Sequence, residues 1–554
     1  MIEELNSSNS RDNDETLQLL EHPQQVNNVR IHVAALIASF AAMVIGYEAS
    51  SIGGTVTLSE FNKEFFENAD PDYVKGMKAN IISLFHVGAF FGSYFVYPLS
   101  IYLGSLWSFK LSGLLIVFGS GLQLGSQRST GLTCLVAGRI IAGVGVGAIS
   151  NQSCLYIGNI SPSNLRGRLL AFYEINWQVG GILGFFINYA TNRNLSGNLQ
   201  WKVPIAVQLI PAGLFFAGSF LLKEAPRWLF SKGRNEEGIK SLTYYRGLPE
   251  DSPYILQEIA HMNSEIVEHK KNVGSEFWGP FKILFGNSNL RFRLFLTTLL
   301  FVMQNTTGIN AIVYYSVSIL KTIGISSEDA GLLSTGVFGL IKGTCCVLWA
   351  FFVIDRFGRR KSILGFGSIC IVSLFYIGAY IKLADPEHTL NGKSTAGSRT
   401  ALAFFYIWTV GYGFSWSGFP WCYMSEVFDS RVRNLAQCFN ASANWLWAFV
   451  FARYAQNMID AMNYGIFLFF GALLTIATFA FFFLYPETKD FPIHYVDLLF
   501  DRKVPAWRAH ARALEIIHTQ PDAEVVPGEN NPFDKPDDIY IDSENSAGST
   551  SKLI

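Results

Sequence analysis

Charge is the ingredient this sequence is short of. Of its 554 residues, 15% are Asp, Glu, Lys or Arg, against roughly 25% in soluble domains. That shortage argues against a water-soluble fold. The charges that remain nearly cancel, 42 basic against 43 acidic for a net charge of −1, and no long basic block gathers them, which speaks against nucleic acid as a partner. Cysteine is sparse too. The seven present (Cys134, Cys154, Cys345, Cys346, Cys370, Cys422 and Cys438) lie in apolar stretches without CxxC spacing, so they read as packed thiols rather than as a metal site or disulfide framework. An apolar leader is lacking as well. Residues 1–30 are polar and charged, so no cleavable signal is expected and the segment reads as a cytoplasmic tail.

What the sequence has in quantity is apolar length. Half of it is hydrophobic, with 47 Phe and 12 Trp. A membrane-crossing helix needs about 20 mainly apolar residues. That length places spans near 31–54, 79–101, 108–127, 131–153, 169–190 and 202–222, then near 295–318, 330–354, 362–383, 400–424, 435–459 and 464–485. The expected fold is an all-α polytopic membrane protein with about twelve helices in two bundles of six, 31–222 and 295–485. Between them, the polar segment 223–294 holds amphipathic stretches such as "RNEEGIKSLTYYRG", which predict short helices at the membrane surface. Lys223, Arg227, Lys232, Arg234, Lys240, Lys270, Lys271, Arg291 and Arg293 make this linker basic, and "DRFGRRK" (355–361) adds a second basic cluster. Both should therefore be cytoplasmic, as should both termini. The tail, 486–554, is expected to be largely disordered, its Pro, Asp, Ser and Asn prevailing after about residue 519.

The halves repeat each other. "YIGNISPSNLRGRLLA" begins at Tyr156 and "YMSEVFDSRVRNLAQ" at Tyr423, so Tyr156/Tyr423, Asn159/Glu426 and Arg166/Arg433 share one offset. Repeated six-helix halves with a site between them are a pattern of secondary transporters.

Further motifs stand in order along the chain: "GRIIAGVGVGAIS" (138–150), "RGRL" (166–169), "EAPRWLF" (224–230), "QNTTGINAIVYYS" (304–316), "DRFGRRK" (355–361), "PW" with "SEVF" (420–428) and "PETK" (486–489). Together they resemble the sugar porters of the major facilitator superfamily over nearly all of 31–490. The resemblance implies two six-helix bundles, cytoplasmic linker helices and alternating access, in a membrane protein placed in the plasma membrane. Departures from the pattern are equally definite. The loop between the second and third helices reads "SIYLGSLW" (100–107) instead of "DRxGRR", Asn159 replaces a usual Glu, and Ala225 interrupts "ESPRWL". The cytoplasmic gate is therefore expected from Arg166, Arg168, Asp355, Arg356, Arg359, Glu426 and Arg433, an asymmetric set.

Ionisable groups inside spans are costly, by roughly 2.5–3.5 kcal/mol on insertion scales, and face a partner or a hydrated space. Glu48, in "AMVIGYEASSIGG" (42–54), lies in the outer third of the first span, and Arg139 lies at the same level of the antiparallel fourth. The resemblance implies that an acid opposite this arginine marks proton-coupled members; a purely structural ion pair is the other reading. Lys342 lies midway along its span, and Glu174 stands where sugar porters commonly have Gln. Those two either satisfy each other or line a hydrated inner vestibule, or Lys342 supplies positive potential for an anionic solute.

Amide and hydroxyl side chains with flat rings suit polyols. The resemblance carries the solute-contact positions onto Gln304, Asn305, Asn310, Trp421 and Asn444, with Tyr314 and Gln178 beside them; Asn305 shortens a usual Gln by one methylene. "YEINWQVGGILGFFINY" (173–189) and "SWSGFPW" (415–421) look more like the fungal quinate permease branch than hexose carriers. A quinate-like hydroxy acid is thus the first expectation for the solute, a hexose or other monosaccharide the second, and a non-transporting nutrient sensor the third. Protons and the lipid bilayer are the other expected partners. Gly143, Gly145 and Gly147 read as helix-packing positions, not a nucleotide loop. No hydrolytic triad, metal-ligand cluster or cofactor motif is visible, so no enzyme activity, metal or cofactor is expected.

Overall fold

An apolar run in a membrane has no water to bond its backbone, and the α-helix satisfies that backbone internally. The computed structural model of the protein follows this rule: it is helical throughout, with no β-strand among the described residues. Those residues are 23–519 apart from 163, 274–276, 325–327, 354–355, 357, 387–394, 429–430, 490, 492–494 and 501–502. Asp355 of the expected gate and the segments beyond 519 and before 23 lie outside them.

The first half comprises α1 (Val29–Thr55), α2 (Pro71–Leu103), α3 (Ser105–Leu124), α4 (Thr133–Ile160), α5 (Arg166–Asn194) and α6 (Leu199–Gly218). Two longer linker helices follow, α7 (Asn235–Arg246) and α8 (Pro253–Val273). The second half comprises α9 (Ser288–Thr306) with α10 (Ile309–Thr322), α11 (Glu328–Leu348), α12 (Arg359–Ala384), α13 (Ala396–Gly413) with α14 (Phe419–Val427), α15 (Arg433–Met462) and α16 (Gly465–Leu484). A last helix, α17 (Ala506–Thr519), follows. Among the described residues, ten spans are long and apolar enough to cross a membrane; α13–α14 and the more polar α15 bring the number to about twelve. Phe118, Ile210, Phe295, Val372 and Ile476 stand exposed on the helices, as an apolar surrounding requires.

Small residues let helices approach until backbones touch. A Cβ on Gly92 of α2 would overlap the Val144 carbonyl of α4, and one on Gly147 would overlap the Ala89 carbonyl. Gly145 meets α3 at the Ser112 carbonyl. The glycine-rich run of α4 is a packing seam.

The sequence repeat has a structural meaning. Glu224 accepts hydrogen bonds from Ser105 N (3.1 Å) and Leu106 N (3.0 Å) at the start of α3. Glu487 accepts from Arg359 N and Arg360 N (both 2.9 Å) at the start of α12. A carboxylate there satisfies orphan N–H groups and complements the helix dipole. Each capped helix follows a left-handed glycine, Gly104 (φ 89°) or Gly358 (φ 80°). The Tyr156 hydroxyl donates to the carbonyl of Lys223 (2.6 Å), and the Tyr423 hydroxyl to that of Pro486 (3.5 Å), each one residue before the capping glutamate. "SIYLGSLW" has lost the basic cluster yet keeps the turn and the cap, because the turn needs only its glycine.

The linker is fastened to α4. Arg246, 1% exposed, donates to Ile160 O (2.7 Å) and through Nε to Glu258 Oε2 (2.9 Å). The linker thereby defines one face of the molecule; the opposite end is called the far face below.

Candidate functional site

The span expected at 295–318 is broken. Thr307 and Gly308 interrupt it, and Gly308 takes φ 88°, which only glycine adopts without strain. The break sets Gln304 and Asn305 at the end of α9 against Asn310 at the start of α10. Asn310 Nδ2 donates to Asn305 Oδ1, while Asn305 Nδ2 donates to Asn444 Oδ1 of α15 (3.0 Å) and to Phe301 O (2.7 Å). Gln304 Nε2 reaches the carbonyls of Trp416 (2.8 Å) and Ser417 (3.0 Å) in the non-helical link between α13 and α14. Trp421 packs edge-on against Phe301, ring centroids 5.0 Å apart. Three asparagines in relay leave amide groups over for further partners, since each carries two N–H donors and a two-lone-pair oxygen.

On α5, Gln178 Nε2 donates to Glu174 Oε1 (2.7 Å). Helix α11 closes on this site: Gly343 lies against the Gln178 side chain, and Cys346 lies between Glu174 and Ser417, its Sγ 2.9 Å from Ser417 Oγ. The charge of Lys342 reaches Glu174, but the two form no salt bridge within 4 Å. Lys342 is half-buried and its ammonium has no hydrogen-bond or ion-pair partner among the described residues. The two groups share a neighbourhood without neutralising each other by contact.

Glu48 and Arg139 meet in the interior of the first half. Arg139 Nη1 lies 3.2 Å from Glu48 Oε2, and both side chains are 1% exposed. The guanidinium sits over the Phe85 ring at 4.9 Å. Among the described residues, Glu48 Oε1 and Arg139 Nε and Nη2 have no hydrogen-bond partner, so the pair is incompletely satisfied.

Sequence reasoning passed over His86. It is fully buried in α2, and its Nε2 lies 2.9 Å from the Tyr314 hydroxyl of α10 in the other half. Tyr314, grouped above with the solute positions, thus engages the first half. An imidazole inside the apolar run "SLFHVGAF" was the available signal.

Of the gate set, Arg359 and Glu426 pair at 2.8 Å, and Glu426 also accepts from Thr488 Oγ1 (2.6 Å). Arg433 Nε donates to Phe428 O (3.0 Å), and the Arg356 carbonyl accepts from Lys489 Nζ (3.2 Å). Arg166 and Arg168 are exposed; Arg166 lies in the field of Arg227, Arg246 and Glu265 of the linker. None of these contacts crosses between the halves. The crossing ion pair among the described residues is at the far face, Lys75 of α2 with Asp460 of α15. There Gly53 of α1 also abuts the Tyr314 backbone.

This architecture has known counterparts. The structure of the proton:xylose symporter XylE bound to 6-bromo-6-deoxy-D-glucose superposes with a TM-score of 0.69 at 23% identity, over 85% of this chain and 99% of that one. The fold is that of the major facilitator superfamily. Residues 34–500 match the family described as sugar (and other) transporter. A probable quinate permease of Aspergillus fumigatus is 43% identical over 89% of this chain and 91% of its own length. The quinate permease of Emericella nidulans is 42% identical over 90% and 94%. The chain belongs to the sugar (and other) transporter family.

Proposed function

We propose that the protein carries a polyhydroxy carboxylate of the quinate type across the plasma membrane together with protons, by alternating access of its two halves. The observation that carries this reading is the pairing of an incompletely satisfied, buried Glu48–Arg139 contact with a separate polar cluster whose ammonium, Lys342, has no hydrogen bond or ion pair among the described residues. A carboxylate that trades an arginine for a proton links protonation to conformation. Gln304, Asn305, Asn310, Asn444 and Gln178 supply hydroxyl-binding amides, and Trp421 supplies a flat apolar face. Lys342 binds the solute carboxylate, and Glu174 balances that ammonium when the site is empty. The names of the permeases above support the quinate assignment. With the linker and termini cytoplasmic, the far face is extracellular and this conformation is closed to the outside. Arg166, Arg168, Asp355, Arg356, Arg359, Glu426 and Arg433 then form the cytoplasmic gate.

A monosaccharide is the second reading, because the asparagine relay can serve a neutral polyol without Lys342. Uptake of labelled quinate and glucose in transporter-deficient cells, with and without a proton gradient, separates the two. Quinate is expected to accumulate only with the gradient. Accumulation of glucose with no entry or competition by quinate would refute the hydroxy-acid reading.

A further inference from the structure

His86 stands between the proton site and the opposite half. Its Nδ1 lies 3.3 Å from the Ser83 carbonyl. A carbonyl only accepts, so Nδ1 carries the proton and Nε2 presents its lone pair to the Tyr314 O–H. The bond is 2.9 Å long, the rings meet edge to face at 5.3 Å, and the residues are 0% and 5% exposed. Phe85 joins the two sites: Arg139 lies on its face, and its ring meets His86 edge-on at 5.7 Å. Trp445 of α15 closes the other side of the imidazole at 5.9 Å. The titratable and charged groups around this centre are Glu48 and Tyr47 of α1, Arg139 of α4, His86 itself, and Tyr314 and Tyr315 of α10. The Arg139 charge acts on both His86 and Tyr314.

Consider what a proton on Glu48 does. The carboxyl becomes neutral, and Arg139, whose Nε and Nη2 lack partners among the described residues, loses the anion it faces. A buried guanidinium in that position seeks an acceptor. The Tyr314 oxygen has lone pairs to offer while its O–H stays on His86. A hydroxyl that accepts from a cation becomes a stronger donor, so hydrogen bonds in such a chain reinforce one another.

We propose that His86 is the positioning residue that couples the proton site to the second half: protonation of Glu48 turns Arg139 toward Tyr314, strengthens the Tyr314–His86 bond, and so favours closure of the far face. Loss of the proton returns Arg139 to Glu48, weakens the bond and lets the far face reopen. The present conformation, with Glu48 and Arg139 paired and Tyr314 on His86, stands between proton release and reopening. This inference rests on the proton-coupled reading above.

The test is a distance measurement across the far face of the full-length protein. Spin labels go on cysteines placed at Tyr73 of α2 and Met462 of α15, which are exposed. Lowering the pH from about 8 to about 5 should raise the short-distance population in the otherwise unmodified chain, with Glu48→Gln fixed near the acid value at either pH. His86→Phe and Tyr314→Phe, which keep ring packing, should cut that response by about fivefold, whereas His86→Gln, whose amide oxygen can accept from Tyr314, should keep most of it. A full pH response in His86→Phe overturns the proposal. So does an equal loss in His86→Phe and His86→Gln, which would mark a purely structural imidazole. The measurement needs no transported solute. A chain with no pH response and no difference in Glu48→Gln refutes proton coupling itself, and failure to carry quinate in the uptake assay bears on the solute alone.

Discussion

Arg139 reaches Glu48 across 3.2 Å with both side chains almost wholly withdrawn from solvent, yet among the described residues the carboxylate bonds through one oxygen only. Removing one partner of a buried pair leaves an uncompensated charge, at about 3–5 kcal/mol. Arg139→Met should therefore lower the thermal midpoint of the purified protein sharply, and Arg139→Met with Glu48→Gln should recover most of the loss. Equal midpoints for the single and double variants would show that the pair is not energetically coupled. In transport, Glu48→Gln should abolish accumulation against a gradient while solute exchange persists.

On the proposed function, the charge selectivity falls to Lys342. Lys342→Met should raise the KM for quinate by about tenfold or more, roughly 1.4 kcal/mol, and that for a neutral polyol by no more than about twofold. Radiolabelled uptake of the two solutes reads the difference directly. Equal losses would make Lys342 a structural residue.

Asn305 is the middle member of the relay from Asn310 to Asn444. Its truncation strands two amides, so Asn305→Ala should weaken solute binding by about 1–3 kcal/mol. The double variant with Asn444→Ala should lose little more, because neighbours in one network are not additive. Strict additivity in a binding titration would contradict the relay.

Glu224 and Glu487 cap symmetry-related helices, and each truncation to alanine should cost about 0.5–2 kcal/mol. Because the two carboxylates share no hydrogen-bond partner, the two losses should add. Burial holds the Glu224 carboxyl above its ordinary range, so its protonated form favours folding. That contribution is complete at acid pH and is lost as pH rises through the raised value. Glu224→Gln cannot ionise, so its midpoint relative to the unmodified protein should improve from about pH 4 to about pH 7. A difference independent of pH would contradict this ionisation effect.

The spans, the duplication and the common level of Glu48 and Arg139 were legible in the sequence, for hydropathy and antiparallel order are properties of the chain itself. The glycine-rich run of α4 was legible as packing because small residues at helical spacing have one main use in a membrane. Other features were not. "SIYLGSLW" looked like a lost motif, since the eye follows its missing charges; the retained cap comes from Glu224, about 120 residues away in the chain. His86 was passed over because an imidazole is uncharged at neutral pH and a search for intramembrane charge does not stop at it.

The sequence by itself determined that this chain is a duplicated bundle of apolar helices, because each helix must satisfy its own backbone and present an apolar surface. Only the tertiary structure decided that Gly308 breaks a span, that Tyr314 answers to His86 and that Lys342 stands near Glu174 without a hydrogen bond or ion pair among the described residues. Each further residue turns a helix face by about 100°, and the way two bundles are rotated against each other is written in no single segment. The side chains that meet at the interface depend on that rotation.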